Sequence, residues 1–102
     1  MKIYTIEEIS QKLQPIFDEK GVTKAILFGS YAKGNADGES DIDLVVAVED
    51  WVDIFEFSEI SVDAALTLGK KIDFLPMDDV IVGGRVDKEI RSTGRLIYEK
   101  SG

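Results

Sequence analysis

The sequence has no cysteine and no histidine, and each absence removes a class of chemistry. Without cysteine the chain cannot form a disulfide, use a thiolate nucleophile or build a cysteine-ligated zinc or iron–sulfur site. Without histidine it lacks the usual general base and every histidine-ligated metal site. Any catalysis must therefore use carboxylates, hydroxyls, lysine, arginine or tyrosine.

Positive charge and long apolar runs are also scarce. Lysine and arginine total 12 against 20 aspartate and glutamate, which gives a net charge of −8 over 102 residues. Such an acidic chain is not expected to bind nucleic acid mainly through its phosphates. No apolar run approaches the roughly 20 residues of a membrane span, and the N-terminus lacks the pattern of a secretion signal. We expect one domain over residues 1–102, located in the cytoplasm, with no membrane or direct nucleic-acid partner.

Apolar residues recur at helical spacing in two long segments. The first helix is predicted from about Ile6 to Lys20, after the capping box of Thr5 and Glu8, with a kink or a defect in a late turn at Pro15. The second helix is predicted from about Asp53 to Leu68. Its aromatic side chains are expected in the core or at an interface.

Short apolar segments bounded by glycine or proline predict four strands, which are Ala25–Phe28, Asp41–Val48, Lys71–Pro76 and Arg95–Glu99. A short last helix is expected around Val86 and Ile90, and the segment Val80–Val82 is compatible with strand or helix. The resulting order, α-β-β-α-β-α-β, indicates an α/β (α+β) fold in which helices flank a small mixed sheet of about four strands.

Acidic residues within the predicted strands carry the candidate chemistry. Asp41 and Asp43 begin the second strand on one face, while Ile42 points to the core. Asp73 interrupts the apolar third strand, and we expect it to be buried beside a cation or a hydrogen-bond donor, because an unpaired buried carboxylate is costly. If the third strand lies beside the second, the three carboxylates meet on one face.

Three neighbouring carboxylates repel one another unless cations lie among them. Hard oxygen ligands select Mg²⁺ or Mn²⁺, and Mg²⁺ commonly completes its coordination with waters and phosphates. The Gly29–Ser30 turn, with Lys33 close by, offers backbone N–H groups, a hydroxyl and a positive charge to phosphate. This segment is not a Walker A motif, because Asn35 and Ala36 stand where that motif requires lysine and serine or threonine. The residues therefore predict a site for a divalent metal with a polyphosphate.

Gly29-Ser30 followed by Asp41-Ile42-Asp43, within the string FGSYAKGNADGESDIDLVV, resembles the signature of the polymerase-beta-type nucleotidyltransferases. The short length, the later Lys-Ile-Asp and the terminal Gly-x-Leu-Ile-Tyr-Glu narrow the resemblance to the minimal nucleotidyltransferases, the MntA-like antitoxins paired with HEPN toxins. This resemblance implies an enzyme of the protein adenylyltransferase type. It would transfer AMP from ATP to a hydroxyl of a partner HEPN toxin, which is a tyrosine hydroxyl in the characterised antitoxins.

The resemblance also implies a role for each matching residue. Asp41 and Asp43 would be catalytic metal ligands, and Asp73 would be the third catalytic carboxylate and metal ligand. The cofactor would be Mg²⁺, as two ions, with Mn²⁺ as a substitute. The residues that would bind the nucleotide are Gly29, Ser30 and Lys33.

Two other functions remain open at this point. The chain could be a catalytically silent module that binds a nucleotide or masks a toxin, or it could modify a small molecule. The second alternative usually needs an additional helical domain for the acceptor pocket. The sequence leaves open the base preference, the acceptor hydroxyl, the need for catalysis in antitoxin action, the formation of homodimers and the structure of the stretch from Met77 to Val86.

Overall fold

The computed structural model describes residues 2–101, which are organised around one four-stranded sheet. The helices and strands, in chain order, are α1 (Ile6–Lys20), β1 (Val22–Phe28), α2 (Gly29–Lys33), β2 (Ile42–Val48), α3 (Ile54–Leu68), β3 (Ile72–Pro76), a 3₁₀ helix (Met77–Asp79), α4 (Arg85–Thr93) and β4 (Arg95–Glu99). The order across the sheet is β3-β2-β1-β4, with β2 and β3 parallel and the other pairs antiparallel. The predicted mixed sheet flanked by helices is confirmed.

The core lies between one face of the sheet and the pair α1 and α3. Both helices begin with a capping box, in which the side chains of the N-cap residue and of the third helical residue satisfy each other's backbone N–H groups. Each helix then turns an apolar stripe inward at helical spacing. The fully enclosed side chains of this core are Ile9, Leu13 and Phe17 of α1, Ile60 and Ala64 of α3, and Ala25, Leu27, Ile42 and Leu44 of the sheet.

The structure differs from the predicted elements at several points. β1 begins at Val22 instead of Ala25, because the polar Lys24 still pairs its backbone with both neighbouring strands. By contrast, α1 has the predicted bounds Ile6–Lys20 and contains Pro15, which is exposed, so water can reach the carbonyl group that this proline leaves unpaired. The segment Val80–Val82 forms neither strand nor helix, and α2 adds an element to the predicted order.

The short helices α2 and α4 pack against each other and against β1. This contact is important for the site, because α2 follows directly from the end of β1 at Gly29. Over residues 2–101, no helix has both the length and the apolar composition that crossing a membrane requires.

Candidate active site

Parallel pairing of β2 with β3 brings together two of the predicted carboxylates. Asp43 and Asp73 are register partners across these strands, just as Ile42 pairs with Ile72. Register partners project their side chains to the same face of a sheet. Ile42 and Leu44 on either side of Asp43 point into the core, so Asp43 lies on the opposite face. The side chains of Asp43 and Asp73 are within hydrogen-bonding reach of each other.

Asp73 is exposed, and the prediction that it is buried was wrong. The order of the strands explains the difference, because β3 is at the edge of the sheet. Of the five residues in β3, only Ile72 is buried. Because Asp73 remains in contact with water, it needs no cation to offset desolvation. The argument for a metal at Asp73 that rested on burial is therefore removed.

The pKa of the Asp43 carboxyl is raised from 3.8 to about 6. Partial burial is the largest cause, since it disfavours the charged form. The hydrogen bond and the negative charge of Asp73 come next, followed by the charges of Asp41 and Glu89. Burial and neighbouring negative charge therefore both disfavour the ionised form of Asp43, and a cation beside it would offset both effects.

Asp41 lies beside this pair without joining it. It precedes β2, and its Oδ2 atom is 3.7 Å from Nζ of Lys71. In the part of the chain that the structure describes, no three carboxylates surround one point closely enough to hold a metal ion. Asp43 and Asp73 are brought together as predicted, whereas the Asp41 side chain would have to leave Lys71 to join them.

Gly29 places the predicted phosphate-binding turn directly against Asp43. Its backbone has φ +74°, and a Cβ atom there would lie 2.2 Å from Oδ2 of Asp43. Only glycine fits both the left-handed backbone and this close approach. The next residue, Ser30, is half-buried. The N-cap residue of α2, Phe28, supplies no side-chain hydrogen bond to the helix. The N–H groups of this turn therefore have no side-chain partner from the N-cap residue.

An ion pair joins α2 to α4 beside the carboxylates. Lys33 Nζ lies 3.2 Å from Oε1 of Glu89, and Arg85 donates to Oε2 of the same carboxylate at 2.7 Å. Glu89 is also close enough to Asp43 to raise its pKa. Sequence reasoning did not identify Glu89, because no local motif marks it and its position depends on how α4 packs against α2.

The donor set of this site suits a hard divalent cation. It contains only carboxylate oxygens, with neither nitrogen nor sulfur ligands, which favours Mg²⁺ or Mn²⁺. Burial first and the neighbouring Asp73 second raise the pKa of Asp43, so a positive charge beside this pair would be stabilising. Asp43 and Asp73 would hold such an ion, and Asp41 would complete the set after leaving Lys71.

The raised pKa of Asp43 predicts how stability depends on pH in the absence of metal. An acid whose pKa is higher in the folded chain contributes stability below its unfolded value near 3.8, and this contribution is lost as pH rises through about 6. The groups that face Asp43 or pair with its neighbours are Asp41, Asp73, Glu89, Lys33, Arg85 and Lys71.

We therefore expect the Tm of Asp43→Asn minus that of the unsubstituted protein to increase between pH 4.5 and pH 7.5. Thermal melts in buffer that contains EDTA measure this difference, and subtracting the variant removes the titration of groups that do not interact with Asp43. A difference that stays constant or falls with pH would show that the folded chain does not disfavour the ionised form of Asp43.

Comparison with known proteins identifies the family. Residues 11–102 match the model of the family described as "Polymerase beta, Nucleotidyltransferase". A Methanocaldococcus jannaschii protein assigned to the protein adenylyltransferases is 32% identical over 75 residues, which are 74% of this chain and 81% of that protein. The protein adenylyltransferase MntA of Thermococcus cleftensis is 30% identical over 79 residues, covering 74% of this chain and 80% of the relative.

Solved structures share the fold at lower sequence identity. A chain described as a minimal nucleotidyltransferase has a TM-score of 0.75 and 19% identity, and the match covers 93% of this chain and 98% of that one. A chain from a toxin–antitoxin structure with AMP-PNP has a TM-score of 0.73 at 20% identity, over 89% and 73% of the two chains. A chain from the complex of a tri-AMPylated Shewanella oneidensis HEPN toxin with its MNT antitoxin has a TM-score of 0.68 at 18% identity, over 93% and 73%.

The match to the family model covers most of the chain, and the similarity to curated relatives includes the segment that contains the signature residues. The prediction of a nucleotidyltransferase is confirmed at this level, and the fold of the solved structures agrees with it. The chain therefore belongs to the polymerase beta family of nucleotidyltransferases.

Proposed function

We propose that this chain transfers AMP from ATP to a hydroxyl group of a HEPN toxin partner and thereby acts as its antitoxin. The observation that carries the proposal is the cluster of Asp43, Asp73 and Gly29, in which two crowded carboxylates lie directly against a glycine turn. The names of the relatives, which are protein adenylyltransferases, support the reaction type.

The glycine turn would hold the triphosphate. The close approach of Gly29 to Asp43 puts phosphate and carboxylates within reach of one metal site. Backbone N–H groups and the Ser30 hydroxyl can donate to phosphate oxygens. Lys33, whose side chain is 42% exposed, would exchange Glu89 for the phosphates when nucleotide arrives.

Mg²⁺ or Mn²⁺, as a pair of ions, would supply charge stabilisation for the attacking and leaving oxygens. The acceptor oxygen forms a bond to the α-phosphorus in line with the bond to the bridging oxygen, which breaks and releases pyrophosphate. The proton of the acceptor hydroxyl passes to a carboxylate oxygen of Asp73. The exposed position of Asp73 suits this role, because a protein hydroxyl can approach it from solvent.

A HEPN toxin described as tri-AMPylated in one of the related structures supports a HEPN toxin as the acceptor, and we propose a tyrosine hydroxyl as the group that is modified. ATP is the proposed donor, in keeping with the AMP-PNP of another complex. We place the reaction in the cytoplasm because it consumes ATP. The net charge of −8 argues against an RNA acceptor.

Transfer of AMP to the purified HEPN partner tests this function. The chain, the partner and Mg²⁺ are incubated with ATP, GTP, CTP or UTP in turn, and the intact masses of both proteins are then measured. The proposal expects one or more AMP units on the partner with ATP. A stable complex in which the partner gains no nucleotide mass with any of the four nucleotides would instead identify the chain as a masking module.

Asp73→Asn separates binding from chemistry. We expect AMP transfer to fall by on the order of 10³-fold, because asparagine cannot accept the proton and is a poorer metal ligand. Binding of ATP with Mg²⁺, measured by calorimetric titration, should be kept in part, since the glycine turn and Asp43 remain. Transfer at the rate of the unsubstituted protein would remove Asp73 from the mechanism.

A further inference from the structure

The helix α3 has a second apolar face that nothing in the described structure covers. Phe55, Val62 and Leu66 are 77%, 56% and 75% exposed. At 100° per residue these three positions fall within about 40° of one another around the helix axis. They therefore form one stripe, which we call the outer stripe of α3.

The outer stripe lies opposite the buried face of the same helix. The core face of α3 is formed by Ile60, Ala64 and Leu68, which are at most 3% exposed. Its centre is turned about 180° from the outer stripe. A surface helix normally pairs its apolar face with a polar one, and single exposed apolar residues are common. A stripe of three large apolar residues on the polar side indicates a contact with another molecule.

Charge around the outer stripe limits what that molecule can be. The acids Glu59 and Asp63 flank the stripe on one side, and α3 itself contains no lysine or arginine. Among residues 2–101, neither acid forms an ion pair. A second copy of this chain would bring like charges together, which disfavours it. The complementary surface is an apolar groove bordered by lysine and arginine.

We propose that the outer stripe of α3 is the docking surface for the HEPN partner and that it fits a basic-rimmed apolar groove on that protein. The identity of the partner rests on the proposed function, whereas the chemistry of the groove follows from the stripe and its acids.

This docking surface is separate from the carboxylates. The α3 helix covers the face of the sheet to which Ile42 points, and Asp43 lies on the opposite face. A protein bound to α3 leaves the nucleotide site open. Docking then raises the local concentration of the acceptor hydroxyl without touching ATP.

The double substitution Phe55→Ser/Leu66→Ser tests the docking surface. We expect the Kd for the purified HEPN partner, measured by calorimetry, to rise about 30-fold or more, because two large apolar contacts are lost at once. The Kd for ATP and the Tm should stay unchanged. AMP transfer should fall at low partner concentration and recover at saturating partner.

Ile81→Ser/Val82→Ser is the matched control, since these side chains are 77% and 84% exposed in a turn outside α3. It should bind the partner as the unsubstituted protein does. A further variant, Glu59→Lys, should weaken binding and reduce its dependence on salt.

Three results would overturn the inference. Unchanged partner affinity in the α3 double variant would exclude the outer stripe from the complex. A dimer of the unsubstituted chain in sedimentation experiments that the same variant abolishes would identify a second copy as the occupant. Failure of the unsubstituted chain to bind any HEPN partner would remove the proposed function and this docking surface with it, an outcome distinct from a loss confined to the variant.

Discussion

Replacing Asp43 with asparagine should reduce AMP transfer by on the order of 10³-fold while leaving the domain folded. Asp43 touches both parts of the proposed site, because it is within hydrogen-bonding reach of Asp73 and lies against Gly29. Asparagine keeps the size of the side chain and one acceptor oxygen, but it loses the negative charge that a metal ion requires. Initial rates of AMP incorporation into the partner measure the loss.

Stability distinguishes this loss of activity from a loss of structure. Ionised Asp43 is disfavoured in the folded chain, as its pKa of about 6 indicates, so the neutral amide should not lower the Tm at pH 7.5. Asp50→Asn is a suitable control, since Asp50 is exposed and follows the far end of β2. Wild-type transfer rates in Asp43→Asn, or equal losses in both variants, would contradict the assigned role.

Gly29→Ala should reduce AMP transfer by about 100-fold with only a small loss of stability. The new Cβ atom would lie 2.2 Å from Oδ2 of Asp43, so the carboxylate must move. That movement costs little stability, because the end of a side chain can rotate away. Displacing a reacting group by about 1 Å costs on the order of 100-fold in rate. Transfer kinetics and calorimetric ATP binding measure the effect.

Gly69→Ala is the matched control, because it measures the effect of a left-handed backbone without a contact to Asp43. Gly69 has φ +65°, similar to Gly29, but a Cβ atom there would meet nothing within 4 Å. Both variants should lose about 1 kcal/mol of unfolding free energy from the left-handed backbone alone. Only Gly29→Ala should lose activity. Equal activity in the two variants would show that the contact with Asp43 has no functional role.

Local signals predicted the elements that position the site. The capping box at Thr5 and the capping residue Asp53 mark the starts of α1 and α3 correctly. The alternation of Asp41, Ile42 and Asp43 correctly assigns Ile42 to the core. These features depend on neighbouring residues in the chain, so sequence periodicity and capping chemistry are sufficient to find them.

Features that depend on packing were predicted less well. Whether Asp73 is buried depends on whether β3 is central or at the edge, and strand order is a property of the whole sheet. The contact of Glu89 with Lys33 depends on how α4 meets α2. The outer stripe of α3 could not be predicted from the sequence either, because apolar residues on two opposite faces of a helix give no clean helical periodicity.

The position of Asp41 leaves the proposed metal site incomplete, and nucleotide binding would complete it. Asp41 pairs with Lys71, a contact between two exposed side chains that contributes little stability. Releasing Asp41 is therefore inexpensive compared with the repulsion that a metal ion removes from Asp43. On this account, the phosphates and the metal arrive together.

Crystals of the chain soaked with Mn²⁺ and AMP-PNP give the most direct test of the proposed site. Anomalous scattering locates manganese without reference to the proposed mechanism. The account predicts manganese bound to carboxylate oxygens of Asp43 and Asp73, with Asp41 released from Lys71 and with the phosphates against Gly29 and Ser30. Nucleotide bound elsewhere, or no manganese at these carboxylates, would contradict it.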